Sequence, residues 1–484
     1  MCSVDAPLQP DLWSLTLPAV RAARERAREH LRSNRYIPRK AVTQYTSSSV
    51  GWSTTTAADT FFPPDSAPVN WDHMFGSDVG LFAQIKYSNV PELEAAADGV
   101  WEVAASDESF ERRISLLSHS ESDAESRKKQ FVFEYMRFVC DIISRAEAVG
   151  VEADVDLLAI YLQLERARFA NELRGDLLVP ISLTPLDHAG PIELGHGVRI
   201  EKLDESMQRA RAVSTMYGGR VSAHVVAAST HAVVVCDIAI DNQDPFERRY
   251  RQSGIDYEVV DRVFECLHVI SSRRTGYAQA VVRPLDWADD WEHDLPAVWK
   301  VQTFERYPHE FDQGRWNEEV EPISAKELEV LPATFAALSV APANVKLASR
   351  RAVRALLRVA EEDEVLDAAI GIEALLLADS DRDEMTHRMA QRAAVVLSVD
   401  GVDPSVVYRL VKKFYEQRSK IVHGRSWKTM NVVLEGKAYP ANEVGVVLLR
   451  ALLLNLFRAE VPWTPQSLDE RLLSALGSNN GSGS

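Results

Sequence analysis

Arg418 and His423 stand five positions apart in the stretch FYEQRSKIVHG, Phe414 to Gly424, and the two side chains suit chemistry on a phosphodiester. A histidine moves protons near neutral pH because its unperturbed pKa is about 6.5. An arginine grips two phosphate oxygens with its planar fork and stabilises charge developing on phosphorus. Both serve RNA cleavage without a metal, in which the 2′-hydroxyl attacks the adjacent phosphorus. The setting suits the same substrate. Arg409, Lys412, Lys413, Arg418, Lys420, Arg425 and Lys428 face the single acid Glu416 within twenty residues, a local charge of about +6 in a chain whose net charge is −17. Such a basic island favours a polyanion over a neutral metabolite. Ser419, Lys420, Lys412, Lys413 and Arg425 are the candidate RNA contacts around the pair. One geometric condition applies: on a regular helix, residues five apart are rotated by about 140°. The pair converges only if the last turn loosens before Gly424 or if a second copy completes the site. The plainer alternative is a helix-end histidine beside a surface arginine.

Helices must position these groups. From about Ile323 the pattern is helical, with segments near Ala325–Ser339, Asn344–Val359, Glu362–Ala378, Glu384–Leu397, Pro404–Val422 and Asn442–Glu460. Short loops between them suit a four- or five-helix bundle, and Gly424 falls at a common helix-stop position. Within the third segment, Val365 to Ala378 is apolar nearly all round, which predicts burial, and a buried carboxylate is usually paired. Glu373 within it is therefore expected to orient His423 or neutralise Arg418, or else to form a structural ion pair.

The rest of the chain reads as mixed. Residues 1–70 look loosely structured: a short basic helical pattern between Leu17 and Leu31, a Ser/Thr-rich tract from Thr43 to Thr60, then Pro63 and Pro64. Asn89 to Gly175 carries helical apolar stripes. Strand signals follow at Leu177–Leu183, a glycine-punctuated hairpin at Gly190–Lys202, and β-rich runs at Val221–Ala228, His231–Ile240 and Tyr277–Val282, with a helix from Tyr257 to Ser272. The expected fold class is α+β, a mixed α/β N-terminal region followed by an all-α helical bundle. The expected division is an arm over 1–70, an α+β regulatory or sensor region over 71–322, the bundle over 323–465 and a tail over 466–484. The final GSNNGSGS has linker composition and is left out of fold reasoning.

Composition narrows the class. The chain has 484 residues, 46% of them hydrophobic, and suggests roughly two to four domains. Its four cysteines, Cys2, Cys140, Cys236 and Cys266, form no CxxC pair, which argues against a disulfide framework or cysteine zinc site. The N-terminus lacks a signal-peptide pattern, and the apolar run Val444–Phe457, broken by Arg450, is too short to span a bilayer. The expectation is a cytoplasmic protein with no membrane partner and no cofactor. Two metal candidates are weak. Asp289, Asp290 and His293 in DWADDWEHD match no ligand template and read better as a solvated loop with its tryptophans packed down. DSDRDE, Asp379 to Glu384, imitates a calcium loop but places Glu384 where glycine is required. No phosphate loop is present, and the glycines at 195, 197, 218 and 219 lack the context of a dinucleotide fingerprint.

Three ordered blocks, DAAIGIEALLL (Asp367–Leu377), HRMAQRAAVVL (His387–Leu397) and YEQRSKIVHG (Tyr415–Gly424), resemble the Apea-like branch of the HEPN superfamily, named for higher eukaryote and prokaryote nucleotide-binding domains. The stretch from Asp176 to Leu203 resembles the region that precedes the HEPN domain in those proteins. The resemblance implies a metal-independent endoribonuclease, acting on RNA such as tRNA and leaving 2′,3′-cyclic phosphates. It also implies a homodimer that gathers two motifs around one cleft. It assigns Arg418 and His423 to the R-x4-H motif and Glu373 to the glutamate of the EALL-like block. Ser419 departs from the Asn, Asp or His common after the arginine. Many relatives are toxins or abortive-infection effectors of antiphage defence, which implies regulation through the N-terminal region, with a phage-derived protein or a nucleic-acid signal as the candidate triggers. The alternative is a non-catalytic HEPN module that binds RNA or a nucleotide and dimerises.

Overall fold

The computed structural model describes residues 6–33, 35–40, 44–56, 64–76, 83–116, 123–213, 221–250, 255–292, 294–313, 320–378, 381, 384–424 and 430–478. It shows a mixed α+β fold built on a six-stranded sheet and many helices.

The first layer is helical. It comprises α1 (Pro10–Arg32), the hairpin strands β1 (Gln44–Ser47) and β2 (Ser53–Thr56), and the short parallel strands β3 (Phe75–Gly76) and β4 (Ile85–Lys86). Helices α2 (Pro91–Ser106), α3 (Glu108–Ser115), α4 (Ala124–Val149) and α5 (Asp154–Phe169) follow. The expected loose arm is thus corrected. Leu12, Ala19, Val20, Ala23 and Ala27 form an apolar stripe on α1 that is buried against α2 and α4. The arginines that suggested a basic arm are paired: Arg24 Nε donates to Glu147 at 2.6 Å, and Arg28 bridges Glu147 and Glu152. Polar residues flanking β1 and β2 conceal an anchor, since Trp52 is buried against Val225, Val226 and Tyr307.

The sheet runs in the order β10-β9-β5-β8-β7-β6, antiparallel throughout. Its strands are β5 (Glu172–Ser182), β6 (Ile192–Gly195), β7 (Val198–Lys202), β8 (Ser229–Asp241), β9 (Tyr277–Leu285) and β10 (Trp299–Arg306). Alternation puts Leu177, Val179 and Ile181 in one core and Leu178 in another on the opposite face. β8 is covered on both faces, which explains its unbroken VVVC run. Helices α6 (Glu205–Val213), α7 (Ala223–Ala227), α8 (Pro245–Tyr250) and α9 (Glu258–Ile270) are interspersed. The β-rich reading of Val221–Ala228 is corrected to α7, because a short buried apolar run has no period to separate strand from helix. Among the described residues, Cys140, Cys236 and Cys266 form no disulfide.

Helices dominate the C-terminal part: α10 (Ala325–Leu328), α11 (Leu331–Val340), α12 (Ala343–Leu356), α13 (Glu361–Leu376), α14 (Met385–Ser398) and α15 (Pro404–Val422). A hairpin of β11 (Asn431–Leu434) and β12 (Lys437–Pro440) interrupts them before α16 (Ala441–Arg458) and α17 (Pro465–Ser478). The residues expected to form a tail instead supply α17, which docks on α14. Leu468 is buried, and Arg392 holds Asp469 through two hydrogen bonds of 2.8 and 2.7 Å. Packing is continuous across residue 323: α9 of the sheet region touches α11, α12 and α16, and one apolar core holds residues from both sides. No helix among the described residues is long and apolar enough to cross a membrane.

Candidate functional site

Local sequence shapes α15. Asp403 caps its start, accepting from the Ser405 amide at 2.8 Å, and Pro404 occupies the first turn. Val407, Val411, Phe414 and Tyr415 make its buried stripe. The helix ends where sequence predicts: His423 is the C-cap, with its amide bonded to the Ser419 carbonyl at 3.1 Å, and Gly424 follows at φ +61°. That left-handed conformation suits glycine.

The structure brings Glu373 and Arg418 together and leaves His423 apart. Arg418 Nη2 lies 3.3 Å from Glu373 Oε1, the two side chains 33% and 23% exposed. Of the two expectations for Glu373, it meets the arginine. The last turn of α15 does not unwind to carry His423 round, so the rotation of about 140° between the two positions persists. Arg418 is on the side facing α13; His423 is exposed on the solvent side with Lys412 and Ser419. Lys413 and Lys420 are half-buried beside that face, and Lys420 Nζ donates to Gln417 Oε1 at 3.2 Å. Arg425 and Lys428 lie outside the described residues.

Several neighbours escaped the reading from sequence. Tyr415, one turn before Arg418, donates its hydroxyl to the Ala369 carbonyl at 3.2 Å. Burial, and then the negative charge of Glu373, push its phenol well above the ordinary value, so it stays protonated as a donor. Tyr408 carries Lys412 over its ring at 5.6 Å and meets His387 Nδ1 through its hydroxyl at 2.7 Å. The β11–β12 hairpin lies against α15: Gln417 Nε2 donates to the Asn431 carbonyl at 3.0 Å, and Glu435 pairs with Arg409 at 3.3 Å. Glu435 and Gly436, both at positive φ, form its two-residue turn. The Glu-Gly pair between VVL and KAYP was the available signal. Glu435 offsets one charge of the basic island.

The two metal candidates are committed to arginines. Asp289 binds Arg248 in a two-pronged pair of 2.5 and 2.7 Å, and Trp287 is buried with its Nε1 on the Arg174 carbonyl at 2.6 Å. Asp381 accepts from Arg388 and Arg392 and from the Ala378 amide. His293, Asp379 and Asp383 lie outside the described residues. Among the described residues, no group of three or more His, Cys, Asp or Glu side chains is arranged to hold a metal ion.

No protein-family model, curated protein or solved structure matches this chain.

Proposed function

We propose that this chain binds RNA on the basic face of α15 and cleaves it without a metal, as the resemblance to HEPN ribonucleases implies. One observation carries the reading: His423 is exposed at the open end of a basic helix whose Arg418 is held in place by a carboxylate. In the reaction the RNA 2′-oxygen forms a bond to phosphorus and the bond from phosphorus to the 5′-oxygen breaks. The 2′-hydroxyl proton passes to the His423 imidazole, and the leaving 5′-oxygen takes a proton from water. Arg418 directs its remaining N–H groups to the phosphorane oxygens. Because Arg418 and His423 diverge within one chain, the reading includes a second copy that brings its own motif to the same cleft.

That divergence also favours a second reading, a module that binds RNA on Lys412, Ser419 and Lys420 without cutting it. Cleavage of labelled RNA in excess EDTA by the full chain distinguishes them. The nuclease reading expects 2′,3′-cyclic phosphate ends, lost in His423→Ala and Arg418→Ala. Binding that survives in His423→Ala, with intact RNA throughout, supports the module instead.

A further inference from the structure

A cleft of about 490 Å³ opens between α9 and α12, far from α15 in sequence, and is closed at one end by the start of β9 and the end of β10. That size suits a small molecule, since such sites span roughly 300–1,000 Å³. Its charge is unusual for a chain this acidic. Some lining cations are already committed: Arg262 to Glu258 at 3.0 Å, and Arg351 and Arg354 to Asp367 of α13. Three others, Arg306, Lys346 and Arg350, have no ion-pair or hydrogen-bond partner among the described residues. Lys346 and Arg350 are one turn apart on α12 and so share a face.

The acids in the cleft offset these charges only in part. Asp261 is occupied by the Tyr277 hydroxyl at 2.8 Å. Glu265 is only 8% exposed, and its carboxyl has no hydrogen-bond partner among the described residues. Burial pushes that carboxyl up to about 8 despite the nearby charge of Arg350. At neutral pH it is therefore mostly protonated, a hydrogen-bond donor rather than a counter-charge. Leu347, Val353 and Leu357 complete an apolar wall on the α12 side.

We propose that this cleft is a binding site for a nucleoside phosphate, with the phosphates on Arg306, Lys346 and Arg350 and the base against Leu347, Val353 and Leu357. Two arginines and a lysine without ion-pair contacts within one small cleft match a compact polyanion. A bare phosphate would leave the apolar wall wet, whereas a nucleoside covers it. Glu265 supplies a further donor to the ligand from the buried side. The site is independent of the α15 face and stands whether or not the chain cleaves RNA.

The test is calorimetric titration of the full chain with AMP, ATP, GTP and inorganic tripolyphosphate. The expected result is saturable binding of at least one nucleotide, at least about tenfold tighter than tripolyphosphate. The double variant Lys346→Ala/Arg350→Ala, with both side chains at the solvent edge of α12, is expected to weaken it by at least about tenfold. Its unfolding midpoint should match the wild type. Glu265→Gln keeps a donor and should bind like the wild type, while Glu265→Ala should bind more weakly. Lys412→Ala/Lys413→Ala on α15 should leave nucleotide binding unchanged. The proposal is overturned if no nucleotide of the panel binds, if tripolyphosphate binds as tightly, or if the α15 variant rather than the α12 variant loses binding.

Discussion

Arg418 faces two demands at once. It must be held still to grip a phosphate, and it must keep N–H groups free to do so. A single 3.3 Å contact to Glu373, with a third of the arginine side chain exposed, meets both. Glu373→Gln removes the charge but keeps the shape. The basic face then gains one net positive charge, and Arg418 loses its anchor. In the nuclease reading, steady-state kinetics on an RNA substrate should show KM falling a few-fold and kcat falling about tenfold. If both parameters stay at wild-type values, Glu373 is a structural partner and not a positioning residue for Arg418.

At the scale of elements, α15 is held by close helix contacts and α17 by the buried Leu468 together with one arginine. At Gly445 of α16, an added Cβ would meet Phe414 Cε2 at 2.6 Å and Ala368 Cβ at 2.9 Å. Phe414 is fully buried and cannot yield without moving α15. Gly445→Ala should therefore cost about 1–3 kcal/mol in urea unfolding, against the small gain that alanine brings to an unconstrained helix. An unchanged midpoint would mean that α15 is free to shift, and the site with it. Arg392 of α14 is 3% exposed and joins Asp469 of α17 to Asp381 and the Leu376 carbonyl. Arg392→Met should cost roughly 1–3 kcal/mol, because the Leu376 carbonyl and Asp469 lose their donor while Asp381 keeps only Arg388 and the Ala378 amide. Arg392 holds both carboxyls below the ordinary aspartate range. Their contribution to stability is complete above the unfolded value of about 3.9 and is lost as pH falls through the lowered folded values. A stability curve measured from pH 7 to pH 2 should lose that acid-limb component in Arg392→Met.

For the whole molecule, the decisive feature is that sheet and helices share one core. α9 buries Val260, Val263, Leu267 and Ile270 in the same cluster as Phe335 of α11 and Leu449 of α16. A fragment starting at residue 323 loses that layer and exposes a broad apolar face. It should be recovered insoluble or should unfold without a cooperative transition. In the full chain, tryptophan fluorescence from Trp287, Trp299 and Trp463 should report the same midpoint as circular dichroism. A soluble fragment with its own sharp transition would show that the helical part is an independent domain. Restraint of the site by the N-terminal region is therefore better tested by point changes in full-length protein than by truncation.

Sequence by itself determined the parts that depend on local period and local charge. The limits of α15 from Pro404 to Val422 and the stop at Gly424 were readable because capping and apolar spacing act over a few residues. The β6–β7 hairpin, the strand VVVC and the basic island were readable on the same grounds. Tertiary structure decided everything that rests on a distant partner. The alanine stripe of α1 reads as part of a loose arm until α2 and α4 cover it. Residues after 465 read as a tail until Asp469 finds Arg392. Glu373 read as a partner of either His423 or Arg418, and only the packing of α13 against α15 chose the arginine. The cleft between α9 and α12 has no motif at all, because its cations come from segments scattered from Arg262 to Arg354, and long-range folding alone gathers them.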